Sequence, residues 1–74
     1  MELRKILARN VRRLRKGMKL SQEELAHRAH IDRTYVSHIE QCKNAATVDV
    51  IEELAIALEV EPRDLLTAKV HATP

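Results

Sequence analysis

Apolar residues recur every three or four positions along most of the chain, and that spacing admits helices and little else. Leu3, Leu7, Val11 and Leu14 form a first stripe over about 3–17, with Gly17 placed to stop it. Ser21 and Glu24 match a capping box, so a second helix is expected over 22–29 with Leu25, Ala26 and Ala29 inward. Asp32 can cap a third helix over 33–42, whose inward residues are Val36 and Ile39. Thr47 can cap a fourth over 48–58, striped by Val48, Ile51, Leu54, Ala55 and Leu58. Glu61-Pro62 opens a last helical turn in which Leu65 and Leu66 pack, because proline is tolerated at a first helical position. Residues 67–74 carry no periodicity and are expected to fray.

A chain of 74 residues closes one modest core, so the expectation is one all-α, five-helix domain over 1–66 with a flexible tail over 67–74. Tyr35 is the only aromatic residue, which leaves the core to Leu, Ile, Val and Ala. Cys42 is the only cysteine and cannot form an internal disulfide. No apolar run approaches the roughly 18 residues of a membrane span, and no signal peptide is recognisable. A cytoplasmic protein with no membrane partner is expected.

The formal charge of +2 hides an asymmetry. Residues 1–19 carry eight basic side chains against Glu2 alone, whereas residues 44–74 carry six acidic against two basic. One pole suits a polyanion and the other faces elsewhere, although a merely solvated basic helix face would give the same count.

The most informative stretch is residues 20–40, LSQEELAHRAHIDRTYVSHIE. Only Ala29-His30-Ile31-Asp32 separate its two short helices, too few residues for antiparallel stacking, so the helices must cross steeply. SQEELA, a short turn, DRTYVSHIE and the ending LAIALEVEPRDLL together resemble the phage repressor and Cro type of helix-turn-helix family, also called the xenobiotic-response-element family. The resemblance covers about residues 3–66. DRTYVSHIE is similar in particular to the recognition helices of restriction-modification controller proteins.

This resemblance implies that the third helix enters the DNA major groove while the second crosses it near the backbone. Arg33, Thr34, Ser37 and His38 lie on the outer face of the third helix and are the candidates for base contact. Arg33 leads them, because a guanidinium can bridge O6 and N7 of guanine. Gln22 resembles the family's phosphate-contacting glutamine, and Lys43 and Asn44 match a loop that touches phosphates in the family. Tyr35 is either a further phosphate contact or a half-buried supplement to the core. Three positions depart from the family pattern, in which glycine is usual: His30, Cys42 and Glu59. A positive φ at His30 would strain a non-glycine residue, though histidine tolerates it better than most.

One recognition helix reads few base pairs, so a homodimer on a palindromic operator in double-stranded DNA is expected. Val50, Ile56, Pro62 and Leu65 are the candidate dimer surface. RNA polymerase is a further candidate partner for such a transcriptional regulator, whether controller or repressor. The alternative reading is the antitoxin of a toxin-antitoxin pair, whose acidic pole holds a protein partner, although no toxin-binding appendage is read after Leu66.

Other chemistries fit less well. His27 with His30 and His38 with Cys42 have spacings that could hold zinc on a helix, but those faces are already assigned to solvent or DNA. Neither a metal nor any other cofactor is expected. No pocket can be inferred around Cys42, so no enzyme is expected either. The scarcity of aromatics argues against RNA binding.

Overall fold

The computed structural model describes residues 2–68. Five helices follow in order: α1 (Glu2–Gly17), α2 (Gln22–Ala29), α3 (Arg33–Glu40), α4 (Val48–Leu58) and α5 (Pro62–Leu66). No strand occurs among the described residues. The frayed tail expected over 67–74 lies, from residue 69 on, outside them.

The stripes converge on one core. Leu7 and Val11 of α1, Leu25, Ala26 and Ala29 of α2, and Val36 and Ile39 of α3 are buried together with Leu54, Ala55 and Leu58 of α4. α2 packs on α3 and α4, while α1 packs on α3 and α5. Asn10, the one buried polar residue among those described, ties α1 to the end of α5. Its Nδ2 donates to the carbonyls of Leu65 at 2.9 Å and Thr67 at 3.0 Å, and its Oδ1 accepts from Arg13 Nη2 at 3.3 Å. Both ends of the amide are therefore satisfied, which burial demands.

The helix starts follow the caps. Ser21 Oγ accepts from Glu24 N at 3.0 Å while Glu24 Oε1 accepts from Ser21 N at 2.8 Å, the reciprocal box that fixes the start of α2. Thr47 Oγ1 accepts from Val50 N at 3.1 Å. Asp32 holds the capping position of α3, but its carboxylate makes no capping bond.

The ends of α1, α2, α3 and α4 share one device, the Schellman motif, whereas α5 ends on the extended Thr67. Among the described residues positive φ occurs at Lys19, His30, Cys42 and Glu59, each between 59° and 62°. After α1, Lys19 N donates to Lys16 O and Leu20 N to Arg15 O. The same pair of bonds closes α2 at His30, α3 at Cys42 and α4 at Glu59. No glycine takes part, and Gly17 does not have positive φ, so α1 is stopped by the left-handed turn at Lys19. The turn at Cys42 also ends α3 at Glu40, two residues earlier than its apolar spacing suggests.

Three apolar residues depart from expectation, the first being Leu3, which opens the first stripe but is 45% exposed. Val48, expected inward, is 80% exposed, because it opens α4 before the helix reaches the core. Leu65, expected on an exposed dimer surface, is 0% exposed and completes the protein's own core.

Candidate nucleic-acid interface

The short turn at His30 and Ile31 sets α2 and α3 across one another. Ile31 N donates to Ala26 O at 3.0 Å, and Ile31 packs against the core beneath the turn. With Val36 and Ile39 buried, the opposite side of α3 faces outward. Arg33 and Thr34 stand exposed at its N-terminal end, and Ser37 and His38 are half-buried one turn on. All four expected base-contacting residues thus belong to one helix face.

The loop after α3 is fastened to that face. Lys43 N donates to His38 O at 2.8 Å, and Asn44 Nδ2 lies 3.5 Å from His38 Nδ1. Lys43 and Asn44 are both exposed there. Tyr35 is half-buried against the core, and its hydroxyl donates to Ala45 O at 3.3 Å. Of its two readings, this favours the supplement to the core, with the hydroxyl bracing the loop.

Gln22 opens α2 and is half-buried beside the C-terminal end of α3. Its Nε2 donates to Glu40 Oε1 at 3.0 Å. The same carboxylate receives Arg15 Nε at 2.7 Å and Nη2 at 3.0 Å, while Arg15 Nη1 donates to Leu20 O at 2.8 Å. Arg15 and Glu40 side chains are only 11% and 5% exposed. This bidentate bonding to Glu40 raises the Arg15 pKa above its ordinary value, against the opposing effect of burial. The network locks α1, α2 and α3 to one another and holds Gln22 at the interface edge.

Sequence reasoning did not single out three residues here. Arg15 and Glu40 lie 25 positions apart, and no local pattern couples them. Gln41 Nε2 donates to Ser37 Oγ at 2.8 Å, an i, i+4 pair that helical spacing could have revealed.

The histidines and Cys42 do not assemble. No group of three His, Cys, Asp or Glu residues able to hold a metal ion occurs among the described residues. Cys42 Sγ instead lies 3.8 Å from the carbonyl oxygen of Arg4.

Val48 and Ile56 of α4 and Pro62 of α5 are exposed, and Val50 is half-buried. Val48, Ile51, Pro62 and Leu66 line an apolar groove with Glu52 on its rim. Leu3, Leu7, Ala45 and Ala46 extend it past Ile51 and Leu66 into a second cleft of about 320 Å³. No described helix is long and apolar enough to cross a membrane.

A family model described as Helix-turn-helix matches residues 11–65. A Neisseria hypothetical transcription factor from Neisseria meningitidis is 43% identical over 65 residues, 88% of this chain and 61% of that protein. The chain thus spans less than two thirds of that relative's length. Control protein C.BamHI of Bacillus amyloliquefaciens is 38% identical over 65 residues, 86% of this chain and 80% of its own. The crystal structure of the restriction-modification controller protein C.AhdI from Aeromonas hydrophila superposes with a TM-score of 0.84 at 35% identity, covering 88% of this chain and 98% of that one. The chain belongs to the helix-turn-helix family of DNA-binding transcriptional regulators and is homologous to restriction-modification controllers.

Proposed function

We propose that this chain is a transcriptional controller of the restriction-modification type, not an enzyme, which binds a palindromic operator as a homodimer. The observation that carries the reading is the outward face of α3, with Arg33 and Thr34 exposed at its start, the Lys43–Asn44 loop fastened to His38 and Gln22 bonded to Glu40 at its C-terminal end. In that arrangement α3 enters the major groove. Arg33 reads a guanine, and Thr34, Ser37 and His38 contact neighbouring base edges. Gln22, Lys43 and Asn44 take backbone phosphates, which set register and carry no sequence information. Residues 1–66 form the binding domain.

Dimerisation uses the α4–α5 side, with Ile56 and Pro62 from the expected set and Val48 in place of the buried Leu65, while the half-buried Val50 packs on the core. Exposed apolar residues gathered beside a groove on a small domain mark a partner site. Activation from this scaffold would use contact with RNA polymerase from an adjacent site.

Selection of bound sites from random duplex DNA tests the reading. Two symmetric half-sites with centres about one DNA turn apart, roughly 34–36 Å, are the expected result. Recovery of a single unpaired half-site would remove the dimer, and recovery of no common site would remove sequence-specific recognition.

A further inference from the structure

Lys5, Arg9, Arg12 and Lys16 recur along α1 at spacings of four, three and four, and all four are exposed. They form one stripe, flanked by the exposed Arg13. Together with the buried Ala8 and with Glu40 they line a shallow groove between α1 and the C-terminal end of α3. Glu40 does not neutralise the stripe, because both its oxygens are engaged by Arg15, and one also by Gln22. The ion pair between Arg15 and Glu40 is the only one among the described residues, so the stripe's cations have no acidic partner there. Like charges at these helical spacings repel one another and weaken the helix. The arrangement therefore lowers stability in the isolated protein and calls for an anion outside it.

We infer that this stripe is a second DNA-backbone track, which grips phosphates of the same duplex just outside the half-site read by α3. The inference rests on the operator-binding reading and extends its footprint. Two observations select the occupant. The groove reaches Glu40, and through it Gln22 and Arg15, so it is continuous with the edge of the candidate interface. The stripe's length also suits a phosphate strand: Lys5 to Lys16 rises about 16 Å along the helix, the axial span of about five phosphates of one strand at about 3.4 Å each. The acidic face of a second copy would be the other source of negative charge, but Glu52 of that face borders the groove assigned to dimerisation.

The test compares two duplexes, one ending at the edges of the selected site and one extending ten or so base pairs beyond each end. Each phosphate contact adds about 0.9 to the slope of log affinity against log salt. The native protein should therefore show a slope steeper by about 3–4 per protomer on the longer duplex. The variant carrying Lys5→Gln, Arg9→Gln, Arg12→Gln and Lys16→Gln should lose that difference and keep its affinity for the short duplex within about twofold. Its melting temperature should match or exceed the native one, since the repulsion is gone. Equal slopes for the native protein on both duplexes, or a variant that keeps the difference, would overturn the inference. So would a variant altered only in self-association without DNA. If no selected site exists, the same pair of lengths is made in random sequence. The slope difference then still judges the stripe, while the operator reading alone fails.

Discussion

The α2–α3 pair and the α4–α5 pair are built from the same aliphatic residues, but they use them in different proportions. In α2 and α3 the core takes every aliphatic side chain: Leu25, Ala26, Ala29, Val36 and Ile39 are all buried. The outward residues are then polar, with Tyr35 half-buried between the two. In α4 the aliphatic residues outnumber the places available. Leu54, Ala55, Ala57 and Leu58 fill the core, and Val48 and Ile56 are left in solvent at 80% and 65% exposure. A helix with no apolar surplus presents a face for hydrogen bonds and charges, whereas a helix with a surplus presents a face for another apolar surface.

Substitutions on the buried and exposed sides of α4–α5 should have the largest and most divergent effects. Leu65→Asp places a charge in the core and should cost about 4 kcal/mol or more, most of the stability of so small a domain. Circular dichroism should show it unfolded. Ile56→Lys should stay folded and sediment as a monomer at concentrations where the native chain forms the proposed dimer. A folded Leu65→Asp protein, or a dimeric Ile56→Lys protein, would dissolve the distinction between core and surplus. Glu40→Ala comes next. It strands the nearly buried Arg15 and should cost about 3 kcal/mol in denaturant unfolding. A loss below about 1 kcal/mol would show that the pair behaves as a surface ion pair.

How far the sequence foretold each half follows the same division. For α2 and α3 the capping box at Ser21 and the inward set were all readable, because local rules and the core agree there. For α5, the spacing placed Leu65 in the last turn but did not say which way it faces. That direction depends on α1, where Asn10 holds the carbonyls of Leu65 and Thr67. Val48 misled because a stripe gives a residue's angle around the helix and not its depth along it. The Arg15–Glu40–Gln22 network joins three helices and exists only after they pack. The left-handed turns at His30, Cys42 and Glu59 sit where the family places glycine, whereas the one at Lys19 had no sequence signal.

Those turns supply a smaller contrast. Glu59→Gly should stabilise the protein by about 0.5–1 kcal/mol, since an L-residue at positive φ carries a strain that glycine lacks. His30→Gly should gain less, because histidine tolerates this region better. Equal or negative changes in thermal melting would show that the two turns are unstrained. The smallest effect belongs to the α2 cap. The backbone N–H and then the hydroxyl of Ser21 hold the Glu24 pKa below its ordinary value of 4.5. A lowered folded-state pKa stabilises above the ordinary value, and that contribution is lost as pH falls through the folded value. Glu24→Gln should therefore flatten the acid side of the stability profile and leave its shape near neutrality unchanged.

The central claim, that the outward face of α3 reads bases while its neighbours hold the backbone, is tested most directly by titrating Arg33→Ala and Lys43→Ala against the selected operator and against random duplex. Arg33→Ala should lose about 1–3 kcal/mol on the operator alone, with relaxed preference at one base pair. Lys43→Ala should weaken both duplexes alike and flatten the salt slope by about one unit. An equal loss on both duplexes for Arg33→Ala would contradict the account and reduce Arg33 to a phosphate contact.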